Sequence, residues 1–327
     1  MKYVFSVVTC LLILAPLSAQ NRVTTNIEKN QVTFAVNGNT AGVYRFHKSD
    51  PKPIIFPIYA PKGQAVTRSW PVGKADEGSS KDHEHHQSVW FCHGDVIPEG
   101  IEVKQKIRGI VGVDFWSVHK GHGNIVCTKV QKGKSGKFWN SIDTHNEWRT
   151  ADGVKILDED RTVTLYDFGK ARLWVFDVDL HASVCPIIFG DTKEGCMAIR
   201  VHDNINERHT GTIQNAEGKT KEKGCWGQRS AWCDYSGTLN GNKVGIAILE
   251  DPDNPYRACW HSRGYGLMGA NPFGRKKSRF PGAAGIKEEA RLPKGEHLRL
   301  RYGELVHEGD TESGNVAGYY QRFLKLD

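Results

Sequence analysis

One stretch of the chain reads Arg172-Leu173-Trp174-Val175-Phe176-Asp177-Val178-Asp179-Leu180-His181-Ala182. From Trp174 to Ala182 every second residue is apolar, and polar residues fill the positions from Asp177 to His181 between them. Side chains of a strand point alternately to its two faces, so this period predicts a strand with one core face and one partly polar face. The same period recurs in 162–165, in 243–249 and in 297–305, where Leu298, Leu300 and Tyr302 oppose Arg299 and Arg301.

Further strands are predicted in short runs rich in β-branched and aromatic residues, separated by turns. These runs are 31–36, 42–46, 53–59, 88–92, 113–118 and 124–130, and 315–325 has the pattern of a short helix. With 35 glycines, 9 tryptophans and 3 methionines, the composition also favours an all-β protein. We expect one large antiparallel β-supersandwich over residues 20–327 with a short C-terminal helix. A two-domain β arrangement divided at 132–140 is the alternative.

The first residues have the pattern of a secretory signal peptide. Lys2 is followed by an apolar run from Val4 to Pro16 and then by small residues up to Ala19. This run is too short to span a bilayer comfortably, and no later segment is long and apolar enough. We expect residues 1–19 to be removed and the mature protein to be exported to the periplasm or the extracellular space.

Charge and cysteine content exclude several classes of protein. The formal net charge is +7, and the basic residues are scattered rather than gathered in a stripe with interleaved aromatics. This pattern argues against a nucleic-acid partner. Of the 8 cysteines, Cys10 lies in the predicted signal peptide, and none of the others forms a CxxC pair. In an exported protein we expect one or two disulfides together with buried single thiols.

The densest group of ionisable side chains lies where a polar loop enters the strand 88–92. This segment reads Asp82-His83-Glu84-His85-His86-Gln87-Ser88-Val89-Trp90-Phe91-Cys92-His93-Gly94-Asp95. Imidazole exchanges protons near neutral pH, binds metals and hydrogen-bonds polyols, so we expect a functional site here. The alternative is that one or two of these imidazoles only hold the loop together.

Residues 194–203 form the second candidate. In a strand, Arg200 and His202 would point to the same side. Arginine offers a forked donor to vicinal hydroxyls or a carboxylate, and a neighbouring histidine can act as an acid or a base. The structural alternative is an edge ion pair between Arg200 and Glu194.

Residues 260–274 form the third candidate. His261, Arg263 and Tyr265 alternate there, and a glycine-rich turn with Asn271 closes the segment. Tryptophans near such groups, Trp232 among them, could stack on the apolar face of a sugar, although most tryptophans belong to cores.

The motifs together are specific. They are His83-x-His85-His86-x-x-x-Trp90-Phe91-x-His93-Gly94-Asp95 with Asp114-Phe115-Trp116, Gly190-Asp191-Thr192-Lys193-Glu194-Gly195 with Arg200, Ala231-Trp232-Cys233-Asp234-Tyr235-Ser236-Gly237, and Trp260-His261-x-Arg263-x-Tyr265-Gly266-Leu267 with Asn271-Pro272-Phe273-Gly274. This combination resembles the PmoA-like family of bacterial proteins of unknown function. The resemblance implies a β-supersandwich similar to galactose-mutarotase-like folds, which occur in many sugar-active enzymes. It supplies no established catalytic residues.

These observations predict an exported enzyme that acts on a carbohydrate, as an epimerase, lyase or hydrolase, through acid–base chemistry of histidine and of glutamate or aspartate. The expected partner is a small-molecule or oligosaccharide substrate, without nucleic acid and without a membrane span. The candidate catalytic residues are His85, His86, His93, Glu194 and His202. The candidate substrate-binding residues are Trp90, Asp95, Arg200, Trp232, Trp260, His261, Arg263, Tyr265 and Asn271.

Two other classes of protein stay open. A non-catalytic glycan-binding protein could use the same aromatics. A metal-dependent enzyme could hold a divalent metal with two or three of His83, His85, His86 and His93 plus Asp95. No cofactor and no metal ligand are predicted, because no second cluster of histidines, cysteines and acids has ligand spacing.

Overall fold

The computed structural model describes residues 22–326, so the predicted signal peptide lies outside the described residues. The strands in chain order are β1 (Val23–Ile27), β2 (Gln31–Val36), β3 (Asn39–Arg45), β4 (Ile54–Ile58), β5 (Val89–His93), β6 (Val96–Pro98), β7 (Asn124–Gly136), β8 (Trp139–Arg149), β9 (Lys155–Asp167), β10 (Ala171–His181), β11 (Ile187–Phe189), β12 (Gly195–Arg200), β13 (Thr212–Asn215), β14 (Trp232–Leu239), β15 (Asn242–Glu250), β16 (Cys259–Trp260), β17 (Leu267–Asn271), β18 (Ala290–Leu292) and β19 (His297–Glu308). The α-helices are α1 (Lys221–Cys225) and α2 (Val316–Phe323), and short 3₁₀-helices cover Asp203–Ile205 and Pro281–Ala283.

Two eight-stranded antiparallel sheets pack face to face. The first sheet has the order β1-β2-β3-β4-β5-β12-β17-β16, and the second has the order β13-β14-β15-β19-β10-β9-β8-β7. Three further strands form a separate small sheet with the order β18-β11-β6. The inner faces meet through aromatic side chains, as where the rings of Phe34 and Trp174 lie 4.9 Å apart. The predicted all-β antiparallel sandwich with a short C-terminal helix is confirmed.

Strand β10 explains how the alternating pattern produces this architecture. Trp174, Phe176 and Val178 point into the core between the two sheets, as predicted. Leu173 and Val175 point to the other face and form a second apolar cluster with α2. The outer face of the strand is therefore apolar where the C-terminal helix covers it and polar beyond the helix.

Two segments differ from the sequence-based expectations. Residues 113–118 form no strand, because the Asp114 carboxylate accepts the backbone N–H groups of Trp116 and Ser117 and bends the chain there. Residues 132–140 lie in the hairpin of β7 and β8 rather than in a linker.

The expected disulfides are wrong. All seven cysteines within residues 22–326 are free thiols, and all but Cys127 are buried. Cys92 and Cys196 are direct partners across β5 and β12, and burial raises the pKa of each thiol. These side chains therefore act as small apolar groups of the core. Within the same residues, no helix has the length and apolarity needed to cross a membrane.

Candidate functional site

The base of the site, called the hollow below, is a row of four buried residues on the outer face of the first sheet. Trp90 lies opposite Ala198, and Ala198 lies opposite Gly269. Gly269 exchanges two backbone hydrogen bonds with His261, so this row of four residues crosses neighbouring strands and shares one face. The next residue after Trp90, Phe91, packs against the second sheet, so the row points away from it. The small residues Ala198 and Gly269 leave a low surface between Trp90 and His261.

Arg200 stands at one side of this hollow. It follows Ala198 by two residues in β12 and therefore points to the same face. Its buried guanidinium donates to the Asp82 carboxylate at 2.7 Å and to the Ser80 hydroxyl at 3.0 Å. The buried Arg68 donates to the same Asp82 oxygen at 2.7 Å. Burial favours a higher pKa for Asp82, but the two guanidiniums outweigh it and hold that pKa below its usual range.

The histidine-rich loop forms a group of packed rings above Trp90. The ring of His83 lies 4.9 Å from that of His86 and 4.8 Å from that of Tyr265, with nearly parallel planes. His86 lies 5.6 Å from Trp90, and His85 meets His86 edge-on at 4.4 Å. The His83 side chain is 39% exposed, whereas His86 is buried. His83 therefore offers a surface to a ligand, and His86 supports it.

Burial makes two of these imidazoles weak bases. Burial, together with the positive charges nearby, lowers the pKa of His86 well below its usual value and lowers that of His85 to about 3. The Nη1 group of Arg200 lies 3.3 Å from Nδ1 of His86. Because arginine only donates, Nδ1 accepts and the proton of His86 sits on Nε2. His85 and His86 are thus neutral near pH 7 and are better suited to binding than to taking up a proton.

Glu194 and His261 lie next to each other on the side of the hollow opposite to Arg200. The Oε2 atom of Glu194 lies 3.9 Å from Nδ1 of His261. Burial raises the pKa of Glu194 to about 7, with Asp114 adding to the effect, although 38% of the side chain stays open to solvent. Burial lowers the pKa of His261 to about 3, although a hydrogen bond to the Lys193 backbone acts in the opposite direction. Glu194 is therefore a carboxyl group that can gain or lose a proton near neutral pH.

Tyr265 and Arg263 complete the rim. Burial and the charge of Glu194 raise the pKa of Tyr265 to about 12, so its hydroxyl stays protonated and can donate. Arg263 lies 3.3 Å from Glu222 in a half-exposed ion pair, and its guanidinium carbon lies 5.9 Å from the Tyr265 ring centroid. The rim thus combines an aromatic ring with donors and acceptors of both signs.

Three predicted residues are engaged in holding the fold instead. His93 is fully buried, and its Nε2 lies 2.8 Å from the carbonyl oxygen of Gly190. The Asp95 carboxylate accepts backbone N–H groups of residues 111 and 112. The Asn271 amide donates to the Thr192 carbonyl and accepts from the backbone of residue 273.

Three more predicted residues lie elsewhere. Trp232 packs in the apolar cluster beneath α2, on the outer face of the second sheet. Trp260 is fully buried and donates its indole N–H to the Ser230 carbonyl, so neither tryptophan presents a ring face to the hollow. His202 lies just past β12, where its Nδ1 accepts the N–H of Asn204 and caps the 3₁₀-helix.

Several residues that build the site lie outside the set predicted from the sequence. Arg68, Ser80 and Trp116 were not among the candidates, yet Arg68 and Ser80 fix Asp82 and Arg200, and the Trp116 ring lies 5.1 Å from that of Trp90. A lone arginine or serine in a loop has no periodic pattern. Trp116 did carry a signal, since it belongs to the Asp114-Phe115-Trp116 motif.

Two of the proposed metal ligands, His93 and Asp95, are not brought to the others. His93 and Asp95 bond to backbone groups away from the histidine-rich loop. Within residues 22–326, a group of three ligand-capable side chains with donor atoms within 4.8 Å occurs at His145, Glu147 and Asp158. Lys155 already pairs with that Asp158, and Arg149 pairs with that Glu147. Cationic side chains thus neutralise this group.

The fold and the site define an all-β sandwich protein with a polar, aromatic-rimmed hollow on one sheet. Residues 31–321 match the profile of a family described as a family of unknown function, DUF6807, and the chain belongs to this family. No curated protein matches the chain.

Solved structures with a similar architecture include three carbohydrate-related proteins. Galactose 1-epimerase from Lactobacillus acidophilus NCFM is 8% identical with a TM-score of 0.43, over 89% of this chain and 100% of that protein. The GH36 α-galactosidase AgaB from Geobacillus stearothermophilus is 10% identical with a TM-score of 0.42, over 88% of this chain and 41% of the enzyme. A galactose mutarotase-like protein from Clostridium acetobutylicum is 8% identical with a TM-score of 0.38, over 88% and 98% of the two chains. Likenesses of this degree carry no information about the reaction.

Proposed function

We propose that this protein is a carbohydrate-active enzyme, of the epimerase, lyase or hydrolase type, in which Glu194 transfers the proton. The observation that carries the proposal is the position of Glu194, whose pKa burial raises to about 7 and whose half-exposed carboxylate lies 3.9 Å from Nδ1 of His261. General acid–base catalysis is most efficient when the pKa of the catalytic group lies near the working pH.

The side chains around the hollow are suited to binding a polyhydroxylated substrate. Tyr265 and His83 offer partly exposed rings for the apolar face of a sugar, and Arg263 offers N–H donors beside them. Arg200 is buried and contacts the Tyr265 ring. The charge of Arg200 is offset by Asp82, and that of Arg263 by Glu222. A neutral ligand rich in hydroxyl groups suits a site whose charges are already paired.

A non-catalytic glycan-binding protein is the second candidate, since the same rings and donors would serve it. The position of Glu194 favours the enzyme, because a carboxyl group whose pKa is raised to about 7 is here 38% exposed and lies within reach of a ligand, whereas Glu250, with a similar pKa, is fully buried.

The test is a turnover screen of unlabelled monosaccharides and oligosaccharides by proton NMR in D₂O. This experiment follows anomer exchange, incorporation of deuterium at ring carbons, formation of unsaturated products and release of reducing ends. Wild-type protein should convert at least one sugar, and Glu194→Gln should not. If sugars bind and remain unchanged with wild-type protein, the enzyme proposal fails and the glycan-binding candidate replaces it.

Export is part of the same proposal. It is supported by the charged start, short apolar run and small-residue cleavage site of residues 1–19. Full-length protein expressed in a bacterium should be recovered from the periplasm or the medium with an N-terminus near Gln20. An intact Met1 in the cytoplasmic fraction would overturn this part.

A further inference from the structure

A second polar cavity adjoins the hollow. It has a volume of about 320 Å³, within the range of small-molecule sites. Its lining includes Asp76, Glu77, His202, Asn204 and His209. The acid–base chemistry proposed above uses none of these residues.

The cavity and the hollow share one wall. Asp203 lines the cavity, and its carboxylate lies 3.8 Å from the Arg200 guanidinium at the edge of the hollow. The Ser80 hydroxyl donates to Asp203 and accepts from Arg200, which joins the two sites directly. One loop supplies both, because residues 76–79 line the cavity and residues 82–86 surround the hollow.

A second connection runs over Tyr265. The Arg208 guanidinium carbon lies 5.7 Å from the centroid of the Tyr265 ring. The next residue, His209, lines the cavity. Two successive residues, Arg208 and His209, thus connect the Tyr265 ring with the cavity.

The charges of the cavity are largely satisfied, which argues against a cation as its ligand. Asp203 accepts from Ser79 and from both the backbone and the hydroxyl of Ser80. Asp76 accepts from Ser69 and lies 3.4 Å from Nε2 of His202. What is left is a mixture of donors and acceptors on histidine, asparagine and glutamate side chains, which is the chemistry that recognises sugar hydroxyls.

We infer that this cavity is a subsite for a second sugar unit, so that the substrate is an oligosaccharide rather than a monosaccharide. The inference rests on the proposed function of the hollow, where the reacting unit would bind. His202, which caps the 3₁₀-helix through Nδ1, would contact the second unit through Nε2.

Isothermal titration calorimetry tests the inference in a Glu194→Gln background, in which ligands are not consumed. The probes are glucose, galactose and mannose, and the disaccharides maltose, cellobiose, lactose, melibiose and mannobiose. At least one disaccharide should bind about tenfold or more tightly than its own monosaccharides. Asn204 is exposed, and within residues 22–326 its hydrogen bonds are made by its backbone. The additional substitution Asn204→Trp puts a bulky ring into the cavity and should bring this ratio close to one.

Two further variants sharpen the result. His202→Asn keeps an acceptor for the helix cap but removes Nε2, so it should lower the ratio without unfolding the protein. Lys132→Trp places the same ring at an exposed position of β7, at the edge of the second sheet farthest from β13 and β14, and should leave the ratio at the value of the Glu194→Gln background.

The outcomes separate this inference from the proposed function. If monosaccharides and disaccharides bind equally, or if Asn204→Trp keeps the ratio, the subsite is wrong and the acid–base site stands. If no sugar is bound or converted by wild-type protein, the proposed function fails and the subsite fails with it.

Discussion

The Oε2 atom of Glu194 lies 3.9 Å from the Nδ1 atom of His261, beside the hollow whose base includes Ala198 and Gly269. Burial raises the pKa of this carboxyl group to about 7, whereas it lowers the pKa of His261 to about 3. Only Glu194 of the two changes its charge near neutral pH. The pair is therefore arranged so that the acid carries the proton and the imidazole stays neutral.

The first prediction concerns the pH dependence of activity. The rate of sugar conversion should change with an apparent pKa near 7 because the Glu194 carboxyl titrates there. Glu194→Gln should lower kcat by about 10²-fold or more and remove this step from the profile. Glu312→Gln, an exposed acid of similar size, serves as the control and should keep both. A step near pH 7 that survives in Glu194→Gln would assign the titrating group elsewhere.

The second prediction separates two histidines that the sequence grouped together. His93→Ala should lower the free energy of unfolding by about 3 kcal/mol, because it removes a buried ring and its bond to the Gly190 carbonyl. The folded fraction should keep the kcat of the wild type. His261→Ala should instead lower kcat, since it changes the surroundings of Glu194. Urea denaturation and steady-state kinetics on both variants decide this, and equal loss of kcat in the two would contradict it.

There is a physical reason why the predicted core of β10 is confirmed whereas several predicted site residues lie elsewhere. The alternation in β10 is a local property, so its core face at Trp174 and Phe176 followed from the sequence alone. The same alternation places Trp90 and His93, three residues apart in β5, on opposite faces, so the two side chains cannot belong to one site. Trp232 and its neighbour Cys233 likewise point to opposite faces of the second sheet. Cys233 belongs to the core between the sheets, and Trp232 lies on the face that α2 covers.

The site itself depended on contacts that no local pattern contains. Arg68 and Arg200 are 132 positions apart in the chain, yet they bind the same carboxylate oxygen of Asp82. Residue type and spacing identified the histidine-rich loop and Arg200 as candidates. Which side chains meet there is decided by how the loop folds over the sheet.

The third prediction concerns this shared carboxylate. Asp82→Asn should lower the free energy of unfolding at neutral pH by about 2–3 kcal/mol, because two buried guanidiniums lose their common partner. The value is below that of a fully buried pair, since 33% of the Asp82 side chain is exposed. Lys243→Ala, which breaks an exposed pair with Asp310, should cost less than about 1 kcal/mol.

The effect of Asp82→Asn should also depend on pH. The arginines hold the pKa of Asp82 below its usual value, so its contribution to stability is present above pH 3.8 and is lost as the pH falls through the lowered pKa. The difference between wild type and Asp82→Asn should therefore be constant from pH 7 to about 5 and shrink at lower pH. A difference that grows on acidification would contradict the ion-pair assignment.

The fourth prediction concerns the thiols. Ellman's reagent should find seven thiols in the unfolded mature protein without prior reduction, because all seven cysteines of the described residues are free. Few should react in the native state, since burial raises the pKa of groups such as Cys92 and Cys196. A count of five or three, restored to seven by a reductant, would show the disulfides that the sequence suggested.

The last prediction concerns the buried imidazoles. Burial lowers the pKa of His261 to about 3 and that of His93 to about 4, so neither should titrate in two-dimensional NMR spectra between pH 8 and 5. A native pKa below the unfolded value of 6.5 means that stability is present above pH 6.5 and is lost as the pH falls. Each such histidine loses about 1 kcal/mol between pH 6.5 and 5.5.

Total stability does not reveal this loss, because buried acids act in the opposite direction. Glu194 and Glu250 have pKa values raised to about 7, so their contributions increase as the pH falls over the same range. The histidine effect is instead isolated by the difference between wild type and His93→Ala, which should shrink by about 1 kcal/mol from pH 6.5 to 5.5. A difference that stays constant would mean that His93 is protonated in the native state, in which case its ring could not be buried as the structure places it.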